Sequence, residues 1–197
     1  QALELALGAC VFRYDIFGPD GQSGAVPDGW LCPIVPIYCQ VSSLDFSGVK
    51  KARGDLDPAQ LALVLEAEGP LHEMAIGYLT HIDTRKGIWF AQSVSLAQRQ
   101  ARVLNQYRPG CALAVHGEMA KEEKDEARKA LEVGDIQTLV NCDLYTEGAN
   151  LPWVSDVVPP FTLSRRRFMQ AIGRTTRPYG PGLADLQKEK LDPDTID

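Results

Sequence analysis

Short apolar runs alternate with longer amphipathic stretches through the second half of the chain. The four runs cover residues 87–92, 111–117, 136–142 and 155–161. The stretches between and after them cover 95–106, 121–132 and the residues that follow Ser164, and their apolar positions recur at helical spacing. Apolar runs of four to seven residues between helices are typical of a parallel sheet that is buried on both faces. The pattern therefore predicts an α/β fold of three layers, with helices on both faces of the sheet.

Two more helices are predicted ahead of this alternation. Asp57 and Pro58 have the residue types of a cap and a first helical position. The pair Gly69-Pro70 is expected to end that helix and to begin another, which runs to residue 82. Earlier, residues 29–41 are expected to be extended, and Pro33 and Pro36 confine the early part of this segment to an edge or a linker. Residues 42–55 are expected to be a polar loop or hinge.

The composition is that of an ordinary globular protein, with 45% hydrophobic and 23% charged residues. The net charge of −6 argues against indiscriminate binding of nucleic acid through overall charge, although residues 165–167 form a short basic strip. That strip is interpreted as a solvated helix start, and the run 121–128 as a charged helix face. The five cysteines include no CxxC pair, which indicates reduced thiols in a cytoplasmic protein.

No metal site and no membrane contact are expected. The three histidines form no HExxH pair, and the first apolar run is too short to span a bilayer. Because the chain begins at Gln1 in an apolar run rather than at methionine, we expect a piece of a longer protein.

The stretch FMQAIGRTTR, residues 168–177, holds the most specific chemistry in the chain. Arg174 and Arg177 are three residues apart, so both guanidiniums can leave the same face of a helix. Two such groups suit an anion with several oxygens, for example the terminal phosphate of a nucleotide. The alternative for two arginines alone is a solvated basic helix end.

Three stretches in order along the chain resemble motifs of the C-terminal RecA-like domain of superfamily 2 helicases, of the DEAD/DEAH-box kind. They are WFAQSVSLAQRQA (residues 89–101), the run from 115 to 152 that includes TEGANLP, and TLSRRRFMQAIGRTTRP (162–178), which is similar to motif VI of the QxxGRxxR kind. The resemblance covers about residues 29–178. It implies a remnant of the first RecA-like domain at 1–28, a linker and entering strand at 29–57, the C-terminal RecA-like domain at 58–180 and a polar tail at 181–197.

The resemblance also implies roles for individual residues. Gln170, Arg174 and Arg177 would reach the γ-phosphate and the attacking water, as catalytic residues. Gly148, Asn150 and Gly173 would lie at the nucleotide, and Ser93, His116, Gly117 and Thr146 would face the backbone of a nucleic acid, with DNA expected rather than RNA. ATP and Mg²⁺ would be bound mainly by the first domain. The chain would then be half of an ATP-dependent helicase or translocase.

Several departures from the family pattern keep other interpretations open. Asn150 stands where the family commonly has aspartate, residues 9–12 replace the core of motif III, and neither GxxxxGK[ST] nor a DEAD or DEAH tetrad occurs. The chain alone is therefore expected to be inactive. One alternative is a non-catalytic module that binds nucleic acid or protein, and another is a transferase for a nucleotide-sugar diphosphate.

Several of these residues also fit simpler structural roles. Ser93 and Thr146 are also candidates for helix caps or turn residues, and His116 for a strand end with a satisfied imidazole. Trp89 and Phe90 are expected in the core of a central strand. Trp153 lies beside the motif V stretch, where base stacking has no support beyond its position.

Overall fold

The computed structural model describes residues 25–27, 31–52, 54–142, 144, 151–173 and 176. The chain divides into two compact units, one of residues 1–35 and 176–197 and one of residues 36–175. In the described part of the first unit, the N–H of Leu31 donates to the carbonyl of Ala25 (2.8 Å), and the N–H of Cys32 donates to the carbonyl of Thr176 (2.6 Å).

The second unit contains all the helices and strands of the described residues. In chain order they are β1 (Lys51–Ala52), β2 (Asp55–Leu56), α1 (Pro58–Leu65), α2 (Glu68–Ile82), β3 (Gly87–Phe90), α3 (Val94–Tyr107), β4 (Ala112–His116), α4 (Lys121–Val133), β5 (Thr138–Cys142), β6 (Asp156–Val158) and α5 (Arg165–Ile172). Strands β1 and β2 form a small antiparallel hairpin.

The other four strands form one parallel sheet in the order β4-β5-β3-β6. Side chains alternate between the faces of β3, since Trp89 belongs to one core cluster and Ile88 and Phe90 to another. Helices α1, α2 and α3 supply the first cluster, and α4 and α5 supply the second, through Ala127, Leu131 and Ala171 among others. The predicted α/β fold, a parallel sheet with helices on both faces, is confirmed.

The predicted helices and the strands of the parallel sheet agree with the observed ones to within a few residues, except at Gly69-Pro70, and the β1–β2 hairpin was not predicted. Gly69-Pro70 does not end α1. That helix ends at Leu65, and Gly69 and Pro70 lie in the first turn of α2, which begins at Glu68. Proline is tolerated there because the first backbone N–H groups of a helix have no partner within the helix. The described residues 31–50 contain neither helix nor strand.

Residues 41–49 nevertheless pack against the domain. Val41, Leu44 and Val49 contact the first core cluster, and the ring of Phe46 lies 5.7 Å from that of Phe161. The carboxylate of Glu73 on α2 accepts the N–H of Ser42 at 2.5 Å. These contacts attach the loop to α2 and to the segment that leads into α5.

No helix among the residues described is long and apolar enough to cross a bilayer. In the same residues, no group of three or more histidine, cysteine, aspartate or glutamate side chains could hold a metal ion.

Candidate nucleotide and nucleic-acid site

The carboxyl ends of the parallel strands meet at one edge of the sheet, which is where ligands bind in such folds. Strand β3 leads there into Gln92 and Ser93, and β4 ends at His116 before Gly117. Phe90 lies opposite Asn141 of β5, and His116 lies opposite Cys142 of the same strand. With one strand between them, β3 and β4 are about 10 Å apart. The structure therefore brings Ser93 and His116-Gly117 to a common edge.

Ser93 is the N-cap of α3. Its hydroxyl accepts the N–H of Leu96 at 2.9 Å and donates to Oε1 of Glu66 at 2.8 Å. The other oxygen of Glu66 accepts from the hydroxyl of Ser95 at 2.8 Å, and Nη1 of Arg99 is 3.9 Å from that oxygen. The simple cap role is thus observed for Ser93, and a carboxylate occupies the position beside it. A phosphate contact by Ser93 stays a prediction.

His116 and Gly117 differ in their burial and in their hydrogen bonds. The imidazole of His116 is 15% exposed, its Nδ1 is buried without a hydrogen-bond partner, and Oε2 of Glu118 is 4.0 Å from that nitrogen. The simpler interpretation, a strand-end histidine whose ring nitrogens are both hydrogen-bonded, therefore does not describe Nδ1. Gly117 is exposed, and an added Cβ would meet nothing within 4 Å. Its carbonyl accepts from Nζ of Lys124 at 2.7 Å.

Lys124 also lies at this edge, which the sequence pattern did not predict. The run 121–128 was interpreted as a charged helix face alone, but α4 begins close to the end of β4 and directs Lys124 to that edge. The sequence signal for this position is a lysine in the first turn of a helix that follows directly after a strand. Its ammonium group places a positive charge beside Gly117, and the carboxylate of Glu118 places a negative one near His116.

The helix α5 carries the described part of the QxxGRxxR stretch. Ser164 caps it, since its hydroxyl accepts the N–H of Arg167 at 3.4 Å. Gln170 is half-buried in its last turn, and Gly173 follows the helix, where its N–H donates to the carbonyl of Met169 at 3.0 Å. Arg174, Arg177, Gly148, Asn150 and Thr146 lie outside the described residues.

A cleft of about 640 Å³ lies between α5 and the end of β3. Its apolar lining comes from Leu56, Leu61, Phe90 and Phe161, and its polar lining includes Asp55, Gln92, Arg166, Arg167 and Gln170. Nε2 of Gln92 is buried without a hydrogen-bond partner. The cleft thus combines an apolar floor with amide and guanidinium donors beside Gln170.

Other aromatic and basic residues lie as the sequence pattern predicted. Trp89 and Phe90 are buried in the central strand β3. Residues 165–167 are exposed at the start of α5. Trp153 is half-buried and packs against the second core cluster, so its ring is engaged within the domain.

Fold and site together define an α/β domain with a four-stranded parallel sheet, whose last described helix carries Gln170 and is followed by Gly173. The model of the helicase conserved C-terminal domain matches residues 71–179, more than half of the chain. The chain belongs to this helicase C-terminal domain family, which confirms the resemblance to superfamily 2 helicases and the RecA-like fold.

Solved structures similar to the chain come from several organisms. The helicase Lhr of Mycobacterium smegmatis, bound to ssDNA and AMP-PNP, is 22% identical, with a TM-score of 0.47 over 56% of this chain and 16% of that one. The DEAD-box protein SrmB of E. coli, bound to the regulator of ribonuclease activity A, is 27% identical, with a TM-score of 0.46 over 53% of this chain and 62% of that one. A DEAD box protein from Methanococcus jannaschii is 20% identical, with a TM-score of 0.48 over 56% of this chain and 30% of that one.

The chain spans less than two thirds of the length of each of these proteins. Comparison with curated proteins found no match.

Proposed function

We propose that this chain is the C-terminal half of an ATP-dependent nucleic-acid helicase or translocase. Membership of the helicase C-terminal family supports the proposal, and the observation that carries it is helix α5, which places Gln170 beside an open cleft and ends at Gly173. Arg174 and Arg177 follow directly. In this proposal they are arginine fingers for a triphosphate that another domain binds.

The chemistry divides between two domains. The first domain holds ATP and Mg²⁺, and this chain completes the site when the domains close. Gln170 orients the attacking water, Arg174 and Arg177 neutralise charge that develops on the equatorial oxygens, and Gly148, Asn150 and Gly173 lie along the nucleotide. The chain alone is inactive, because it has no P-loop lysine to hold the phosphates.

The edge formed by Ser93, His116 and Gly117, together with Thr146, contacts a nucleic-acid strand. Lys124 supports this assignment, because its charge lies at the same edge. Contacts of this kind read the sugar-phosphate backbone, so binding has weak sequence preference and weakens as salt rises. DNA is the strand we propose.

A second candidate is a module that binds nucleic acid or protein without catalysis. Two sequence observations favour it: residues 9–12 replace the core of motif III, and Asn150 stands in place of the usual aspartate. The two functions differ in whether the arginines after Gly173 matter for ATP turnover.

The test uses the protein that joins this chain to an ATP-binding domain. Arg174→Ala and Arg177→Ala are each expected to lower strand-stimulated ATP turnover by roughly a thousandfold, because an arginine finger contributes about that factor or more. Circular dichroism should show folding intact. Arg102→Ala is the matched control, since Arg102 is exposed on α3, far along the chain from the motif. Turnover unchanged in both finger variants would favour the binding module.

A further inference from the structure

The carboxylate of Asp55 joins the β1–β2 hairpin to the segment that leads into α5. Its Oδ2 accepts the hydroxyl of Thr162 at 2.5 Å, and its Oδ1 accepts the N–H of Leu163 at 2.7 Å. Nη1 of Arg167 on α5 lies 3.7 Å from Oδ2. The partners are more than a hundred residues away in sequence, so one side chain connects distant parts of the domain.

The contacts continue from Asp55 to the first turn of the helix. The Thr162 hydroxyl that donates to Asp55 also accepts the N–H of Ser164 at 3.0 Å, and Ser164 is the N-cap of α5. Burial acts to raise the pKa of Asp55, but the hydrogen bonds from Thr162, Leu163 and Leu56 and the charge of Arg167 outweigh it and lower that pKa below its usual value. The carboxylate is thus held ionised by the groups that it orders.

Small movements at this end of α5 have large consequences at the other end. Gln170 is five residues beyond Arg165, or about 7.5 Å along the axis, so a tilt of about 10° at the start displaces it by roughly 1.3 Å. A displacement of about 1 Å can reduce a rate by a factor on the order of a hundred.

We propose that Asp55 is a positioning residue for ATP hydrolysis. It fixes the start of α5 and thereby the position of Gln170 in the last turn and of Gly173 after it. The proposal rests on the proposed function, since it assumes that these groups meet a nucleotide. In this proposal the effect of Asp55 passes through its hydrogen bonds to Thr162 and Leu163 and from Thr162 to Ser164.

The experiment compares Asp55→Ala with Asp57→Ala in the protein that also contains the ATP-binding domain. Asp57 is the matched control because it lies two residues away and caps α1 through the N–H of Gln60, at 3.0 Å, without a described contact to α5. Asp55→Ala is expected to lower kcat by about 10-fold to 100-fold with KM for ATP within about twofold. Asp57→Ala should leave kcat within about twofold.

Hydrogen exchange supplies a readout that does not depend on catalysis. In Asp55→Ala the amides of residues 162–172 should exchange about tenfold faster, whereas in Asp57→Ala the faster exchange should fall in residues 58–65. Thr162→Val keeps the shape of the side chain and removes the hydroxyl, so it should reproduce the effects of Asp55→Ala at about one third of their size. It also serves if Asp55→Ala folds poorly.

The outcomes separate this proposal from the proposed function. A kcat within twofold of wild type in Asp55→Ala, or an equal loss in Asp57→Ala, would overturn the positioning role. If Arg174→Ala, measured in parallel, keeps full turnover, the proposed function fails and the catalytic part of this proposal fails with it. Amide hydrogen exchange of residues 162–172 would still show whether Asp55 orders α5. Unchanged exchange there in Asp55→Ala would overturn this structural part of the proposal as well.

Discussion

At the scale of single residues, Gly87 leaves room for the ring of Tyr78 in the core. The ring of Tyr78 packs edge-on against Trp89 with its centroid 5.2 Å away, and its hydroxyl is 3.0 Å from that of Thr138. Burial raises the pKa of Tyr78, so the phenol stays neutral. A Cβ on Gly87 would lie 2.0 Å from this hydroxyl and 2.9 Å from Cδ1 of Ile82. Only a glycine lets α2 approach the start of β3 in this way.

Gly87→Ala is therefore expected to lower the free energy of unfolding by at least about 2–3 kcal/mol, because a buried ring must move and lose its hydrogen bond. Urea denaturation followed by circular dichroism measures the change. Gly48→Ala is the control, since an added Cβ there meets nothing within 4 Å. Tyr78→Phe in the Gly87→Ala background should restore part of the loss. Equal stability of the Gly87→Ala and Gly48→Ala variants would contradict the packing argument.

Residue roles were predictable from sequence only where a motif or a local pattern names them. Asp57 and Ser93 are helix caps, as their neighbours in sequence suggest. Asp55 and Glu66 could not be assigned in the same way. Their hydrogen-bond partners are up to 108 and 29 residues away, and no local pattern reports a contact that forms only when the chain has folded.

At the scale of elements, the end of α1 meets the start of α3. Glu66 follows the last turn of α1, and its carboxylate lies at the positive end of the α3 dipole, where it accepts from Ser93 and Ser95. A negative charge stabilises that helix start. The same charge opposes a phosphate at the strand edge that we propose for nucleic acid.

Glu66→Gln is expected to tighten binding of single-stranded DNA by about threefold, or roughly 0.7 kcal/mol, since it removes one charge near a bound phosphate and keeps one of the two acceptor oxygens. Fluorescence anisotropy at fixed salt measures the affinity. Glu68→Gln is the matched control, because Glu68 is 76% exposed and also pairs with Arg99. Equal tightening in both variants would point to net charge alone, and weaker binding in Glu66→Gln would contradict the model of the edge.

The elements themselves were largely predictable, because the alternation of buried runs and amphipathic stretches is a direct consequence of a sheet covered on both faces. The boundary at Gly69-Pro70 was wrong because both residues fit a first helical turn as well as a break. The hairpin Lys51–Leu56 was missed, since strands of two residues are too short to show a period.

At the scale of the larger unit, two carboxylates attach the segment before α1 to the rest of the domain. Asp55 accepts from Thr162 and Leu163 of the segment before α5, and Glu73 on α2 accepts the N–H groups of Ser42 and Ser43. Hydrogen bonds from Ser43 and Ser42 outweigh the opposing effect of burial and lower the pKa of Glu73, as the bonds described above lower that of Asp55. Both attachments therefore depend on ionised groups.

A carboxyl whose pKa is lower in the folded than in the unfolded state stabilises the fold above its unfolded pKa, and that stability is lost as pH falls through the folded pKa. The ordinary values are 3.8 for Asp55 and 4.5 for Glu73, so the loss should begin below about pH 5 and continue below pH 3.8. Asp55→Asn and Glu73→Gln are expected to be less stable than wild type at pH 6 and to lose less stability on acidification.

Urea midpoints measured from pH 6 to pH 2.5 test this expectation at constant ionic strength. Asp125→Asn, on the exposed side of α4, is the control for removal of a carboxylate and should follow the wild-type curve. The Asn and Gln variants have no titratable carboxyl at the altered position. The difference in urea midpoint between each variant and wild type should therefore narrow as pH falls. A gap that stays constant to pH 2.5 would show that Asp55 and Glu73 stabilise the domain through shape and not through charge.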